Sequence, residues 1–181
     1  MQYPSFSDIR TKVERELDLE AEEFIQPLEF QSYVNDAIDE AEAEIHKLGL
    51  DDMYFLSKAN IALTTGEDEY ALPSNIYANK IVRLVYANGS TIYTIFRLRG
   101  HMRFEQIEQI NQYGTATDFY RFMVTNDSTT AGPRLVIFPA AKETSTTNVK
   151  IWYIRNANRM TADTDLCDIP EIGLQFLYAV S

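Results

Sequence analysis

The sequence predicts an α+β fold: an N-terminal helical hairpin and a C-terminal helix packed with an antiparallel β-sandwich or barrel-like sheet. Three observations carry this. Apolar residues recur at three- and four-residue spacing through residues 5–49. Beyond them, short runs of branched and aromatic residues are broken by turn signals up to residue 160. Helical character then resumes after Asp168. The order helix, helix, strands, helix is that of an α+β protein and not of an alternating α/β one. It divides the chain into a helical region 1–52, a mainly antiparallel strand region 53–160, and a linker with the start of a C-terminal helix over 161–181, all parts of one integrated domain.

The first helix has Ser5 or Ser7 as its cap and an apolar stripe of Phe6, Ile9, Val13 and Leu17. A loop follows at 18–23. Pro27 suits the first position of the second helix, whose apolar face is Val34, Ala37, Ile38, Ala41, Ile45 and Leu48. Gly49 suits the left-handed position that ends it, and Asp36, Asp39, Glu40 and Glu44 fill the opposite face. Two short amphipathic helices cannot stand alone, so both must pack on something else.

In the strand region, Ile61 and Leu63 lead into the polar turn 64–69, and Tyr70-Ala71-Leu72-Pro73 returns. Residues 81–86 form a strand, Asn88-Gly89-Ser90 a hairpin turn and 91–97 its partner. Phe104, Ile107 and Ile110 predict a short inserted helix. Residues 118–124 and 135–138 flank a polar segment, and Val149, Ile151 and Tyr153 alternate along a last strand. Asp168 caps a helix with Pro170 and Glu171 in its first turn. The run that follows stops without a C-cap, so a continuation past Ser181 is expected.

Composition narrows the function classes. With 181 residues, 45 % of them hydrophobic and 24 % charged, the chain can build a real core. Its 11 Tyr and 10 Phe suit strands and subunit interfaces. A net charge of −11 argues against gripping DNA by phosphate neutralisation, though not against a surface past which DNA slides. The single Cys167 has no partner for an internal disulfide or a CxxC pair, and reads as a small packing residue. No run approaches the length of a membrane span, and the opening residues lack the pattern of a secretory signal.

No nucleotide-binding, zinc-protease or nucleophile-elbow motif is present. His46 and His101 are the two histidines, and His46 reads as a surface residue of the second helix. Asp163, Asp165 and Asp168 could hold calcium but read better as a polar linker ending in a cap. Arg97, Arg99, His101 and Arg103 stand at alternate positions. Strand spacing puts Arg97 and Arg99 on one face, and Gly100 interrupts the run. The reading is either a solvated strand end or a patch facing nucleic acid or an acidic neighbour. Between these two partners a neighbouring subunit is favoured, because Asp36, Asp39, Glu40 and Glu44 supply its charge. Ile172, Leu174, Phe176, Leu177 and Tyr178 either pack into the core or present a docking surface.

Three stretches together carry a resemblance. Phe6-Ser7-Asp8-Ile9-Arg10 is followed by Val34-Asn35-Asp36-Ala37-Ile38-Asp39-Glu40-Ala41, a longer helix with an Asn-x-Ala core. Thr64-Thr65-Gly66-Glu67-Asp68-Glu69-Tyr70-Ala71-Leu72-Pro73 fits a Thr-x-Gly-x-x-x-Tyr-x-Leu-Pro hairpin. Asp165-Leu166-Cys167-Asp168-Ile169-Pro170-Glu171 leads toward a last helix. This order, spanning roughly residues 6–178, resembles the head-to-tail adaptor (connector, head completion) proteins of tailed bacteriophages. The resemblance implies a structural virion protein without catalysis or cofactor, located in the neck or tail region and assembled in the host cytoplasm. It implies a homo-oligomeric ring, a dodecamer matching the portal protein ring, monomeric until the portal templates it. DNA would pass through the lumen without sequence-specific binding, and no membrane is involved. Ile172, Leu174, Phe176, Leu177 and Tyr178 are then expected at the portal or subunit contact. Arg97, Arg99 and Arg103 would meet Asp36, Asp39, Glu40 and Glu44 between subunits. The loop 125–133 would face the downstream tail component. The chain departs from the family pattern in that loop, and the longer C-terminal arm that the resemblance implies is not within these 181 residues.

Competing readings are a tail-tube, nozzle or neck stopper protein, and a carbohydrate-binding sandwich using Tyr113, Phe119, Tyr120 or Trp152. A carboxylate glycosidase is the third, with no motif nominating its pair.

Overall fold

The computed structural model describes residues 3–16, 26–98, 121–126 and 132–169. It is mixed α+β, as the periodicity predicts, and divides into two compact units. One comprises Met1–Phe55 and Asn156–Ser181, the other Leu56–Arg155.

The helical unit holds α1 (Phe6–Glu16), α2 (Pro27–Lys47) and the single turn α3 (Asp51–Tyr54). Ser5 caps α1: its Oγ accepts from the Asp8 N–H at 3.2 Å, while the Asp8 carboxylate accepts from the Ser5 N–H at 3.0 Å. This reciprocal box satisfies one orphan N–H of the helix start. The Phe6 and Ser7 N–H groups donate to the Asp165 and Asp163 carbonyls at 2.9 and 3.2 Å. Residues 163–167 therefore complete the first turn of α1 from across the unit, with the Cys167 N–H returning to the Pro4 carbonyl at 3.0 Å.

Pro27 opens α2, and Gly49 (φ +69°) follows its end in the left-handed region. The buried stripe of α2 is Phe30, Val34, Ile38 and Glu42, with Phe6 and Phe30 meeting edge to face at 5.7 Å. Ala37, Ala41 and Ile45 are half-buried. Leu48, expected on the core face, is 70 % exposed. It is the C-cap residue, more than a turn beyond Glu42, the last buried residue of the stripe.

The strand unit is one seven-stranded sheet in the order β1-β7-β3-β4-β5-β6-β2. The strands are β1 (Leu56–Leu63), β2 (Glu69–Ala71), β3 (Ile76–Asn88), β4 (Thr91–Arg97), β5 (Arg121–Asn126), β6 (Pro133–Phe138) and β7 (Ser145–Arg155). All neighbours are antiparallel except β4 and β5, which run parallel. The sheet is barrel-like and nearly closed, for its two end strands, β1 and β2, approach one another. Ile61, Leu63, Leu84, Tyr86, Ile95, Phe122, Leu135, Ile137, Val149, Ile151 and Tyr153 alternate inward along their strands and form the core.

β3 and β4 make the predicted hairpin, with Gly89 at φ +57° in its turn. The polar turn after β1 does not make one. β1 pairs with β7 and β2 with β6. The turn is held elsewhere: the Gly66 N–H donates to the Ala141 carbonyl at 2.7 Å, the Ala141 N–H to the Glu67 carbonyl at 2.9 Å, and the Ile137 N–H to the Asp68 carbonyl at 2.8 Å. The turn's backbone groups are thus spent on β6 and the segment after it. The predicted loop 18–23, the helix around Phe104–Ile110 and the C-terminal helix lie outside the described residues.

Candidate interaction surfaces

The Asn-x-Ala core of α2 has a structural role. Asn35 Oδ1 accepts from the Met160 N–H at 2.9 Å, and its Nδ2 donates to the Met160 carbonyl at 3.1 Å. Gln31 Nε2 donates to the same carbonyl at 2.9 Å. Met160 is fully buried, so α2 holds the returning chain by both polar groups of a residue that has no water to bond.

The aspartates after it are also committed. Asp165 Oδ2 accepts from the Thr161 and Ala162 N–H groups at 2.7 and 2.8 Å, which hold its pKa below the ordinary carboxylate range. Asp168 accepts from the Asn158 N–H at 2.7 Å. This is the arrangement of a backbone-capping linker. Cys167 is buried, and desolvation pushes its thiol pKa up.

His46 corrects a sequence expectation. Its side chain is 9 % exposed, with Nδ1 at 3.2 Å from Asp51 Oδ2 and Nε2 at 3.4 Å from Glu42 Oε1. Its ring stacks at a tilt on Phe55, centroids 5.5 Å apart. The turn at Gly49 brings α3 back over the end of α2 and encloses a residue that helix periodicity alone leaves outside.

The acidic face of α2 is real and longer than predicted. Glu29, Asp36, Glu40 and Glu44 are exposed, opposite the buried stripe. Asp39 departs from the others: it forms an ion pair with Arg159, whose guanidinium also donates to the Asn35 carbonyl at 2.9 Å. Glu44 is paired with the exposed Lys47. Tyr33, exposed on the same helix, donates to Glu29 at 2.8 Å.

On the strand unit, Arg97 is exposed at the end of β4 and borders an open hollow of about 460 Å³ with Asn79, Lys80 and Asn126. Consecutive left-handed residues, Ala78 (φ 44°) and Asn79 (φ 57°), shape its rim where β3 slips register against β7. Arg99, His101 and Arg103 lie outside the described residues, as do Ile172, Leu174, Phe176, Leu177 and Tyr178.

A second basic surface escapes the sequence reading. Lys58 on β1 is paired across the ladder with Trp152 on β7, and Trp152 with Arg83 on β3. The Lys58 ammonium stands 5.1 Å and the Arg83 guanidinium 5.9 Å from the Trp152 ring. On β5, Arg121 lies 5.5 Å from the ring of Phe96, its partner on β4. Each residue of this row sits next to a core residue in sequence, so all project from the outer face. That alternation is visible in the sequence, but the cross-strand register that aligns them is not.

Compared with known protein families, residues 4–180 match the family described as SU10 adaptor protein. The chain belongs to the SU10 adaptor protein family. The match spans nearly the whole sequence and includes both units, so the adaptor assignment applies to the helices and the sheet together. It agrees with the resemblance to phage adaptor proteins, a family of structural virion components. No curated protein matches the chain. For an adaptor, surfaces matter more than pockets. Among the described residues no cluster of His, Cys, Asp and Glu is arranged to hold a metal ion, and no helix is long and apolar enough to cross a membrane.

Proposed function

We propose that copies of this chain form a ring seated between the head portal and the tail of a tailed bacteriophage, as a non-enzymatic part of the neck through which the genome passes. Membership of the adaptor family over residues 4–180 carries this reading. The build of the molecule supports it. A helical unit and a strand unit in one chain offer unlike surfaces, and an unlike pair meeting head to tail generates a ring when the rotation closes. The portal contact falls to the apolar segment with Ile172, Leu174, Phe176, Leu177 and Tyr178, and contacts between copies are electrostatic. Assembly takes place in the host cytoplasm, with a dodecamer matching the portal. A net charge of −11 per copy favours a lumen that repels DNA and lets it slide.

A carbohydrate-binding reading would need an open aromatic platform. Trp152 already carries Lys58 and Arg83 over its ring.

The test is the mass in solution of the full chain, alone and mixed with the portal ring, by light scattering after size exclusion. A monomer that joins the portal at equal stoichiometry supports the ring. Failure to join the portal overturns it and moves the chain to a more distal part of the tail.

A further inference from the structure

Over five adjoining strands, the outer face of the sheet has a charge pattern that the composition opposes. The chain carries 27 acidic residues against 16 Lys and Arg. Yet on the outward-alternating positions of β1, β7, β4 and β5, and at the bulged Arg83 of β3, every charged side chain is a cation. These are Lys58, Lys150, Arg83 and Arg121. Between the cations stand Trp152 and Phe96, with Ile92 four residues before Phe96 on the same face of β4. Phe96 and Ile92 are 59 % and 64 % exposed. Arginine, tryptophan and phenylalanine in one row across the strands are the residue types that protein interfaces concentrate.

The same chain carries a matching surface. Glu29, Asp36, Glu40 and Glu44 lie along the exposed side of α2, with Tyr33 exposed among them. From Glu29 to Glu44 the helix advances about 22 Å. From β1 to β5 the row crosses four interstrand gaps, about 19 Å. The two stripes therefore have opposite sign and similar reach, and both mix charge with exposed aromatic groups.

We propose that the acidic face of α2 on one copy docks lengthwise across the Lys58–Trp152–Arg83 and Phe96–Arg121 row of the next copy. This rests on the ring reading above and names its subunit contact. Each copy offers one surface of each kind, so the contact is heterologous and repeats around the ring. It reassigns the basic side of the contact from the arginines at 97–103 to a row assembled by strand register. Arg97 follows Phe96 in β4 and points to the other face of the sheet.

Charge reversal on both sides tests it. One full-length variant carries Lys58→Glu and Arg83→Glu, and a second carries Asp36→Lys, Glu40→Lys and Glu44→Lys. All are exposed positions, and circular dichroism checks that both variants fold. At moderate salt and high protein concentration, each variant alone should self-associate roughly tenfold more weakly than the wild type. Mixed together, their reversed surfaces fit, so the pair should form a one-to-one complex by sedimentation. Zero-length cross-linking of wild-type chains, half of them isotope-labelled, should join Lys58 to carboxylates of α2 between copies. The proposal is overturned if the mixed variants stay monomeric, or if the wild type binds a labelled single-stranded oligonucleotide through Lys58 and Arg83. Portal binding is read separately. If the wild type joins the portal and both variants do so equally well, the contact is wrong and the adaptor reading stands. If the wild type ignores the portal while the mixed variants pair, the ring reading fails and the complementarity of the two surfaces survives.

Discussion

Asn35 shows how one side chain can join distant parts of a unit. It holds both backbone groups of Met160, which is buried beyond the reach of water. Asn35→Ala leaves the buried Met160 N–H without its acceptor, while Gln31 still donates to the Met160 carbonyl, and should cost about 1–3 kcal/mol, measured by urea unfolding. Asp165 works by a different route. Its carboxylate accepts backbone N–H bonds only in the fold, so its pKa is lower folded than unfolded. Its contribution is therefore present at neutral pH, above the ordinary carboxylate range. It is lost as pH falls through the lowered folded value. Asp165→Asn should flatten that part of the acid limb in thermal melts, and an unchanged acid limb would show that these bonds contribute nothing. Neither role was legible in advance. The Asn-x-Ala pattern marks Asn35 as notable, but its partner lies 125 positions away.

At the scale of elements, α2 separates what periodicity reads well from what it misses. Val34 and Ile38 are buried as their spacing predicts, and Glu29, Asp36, Glu40 and Glu44 are exposed. Ile38→Ala should cost about 2–5 kcal/mol, as for a well-packed core truncation. Leu48→Ala, on a residue the same spacing would bury, should change stability by less than about 0.5 kcal/mol. Equal losses at the two sites would contradict the position of the helix end. His46 fails in the opposite sense: it is polar by type and is enclosed where Asp51 of α3 meets its ring. The turn after β1 is a third case. Gly66 (φ +84°) is legible as a turn glycine, and Gly66→Ala should destabilise by about 1 kcal/mol through the strained backbone. Which strand that turn serves was not legible, because β2 finds its partner in β6 and not in its sequence neighbour.

For the whole molecule, the sheet's two ends are consecutive strands, joined through a turn tied to Ala141. That near-closure leaves little open edge for unwanted strand pairing, which suits the proposed assembly through chosen faces. The proposed ring of copies at −11 each would form against mutual repulsion, while the proposed contact gains from attraction between opposite stripes. Salt screens both. Moderate salt should therefore favour rings on the portal through reduced net repulsion, and high salt should release the copies as the stripe contact weakens. Light scattering of portal-bound protein across a salt series would read this as a maximum. A flat response would place the binding energy in apolar contact alone.

The sequence by itself determined the class of the fold, the two helices and their faces, nearly every strand, the β3–β4 hairpin and the adaptor resemblance. All of these depend on local periodicity, on glycine and proline chemistry, or on the order of short motifs along the chain. Only the tertiary structure decided which strands are neighbours, that β4 and β5 run parallel, and that Asp39 is spent on Arg159. It also decided that Lys58, Trp152 and Arg83 form one row. A residue's face follows from its own few neighbours, whereas its partner across a sheet follows from register, which is settled by burying all the strands at once.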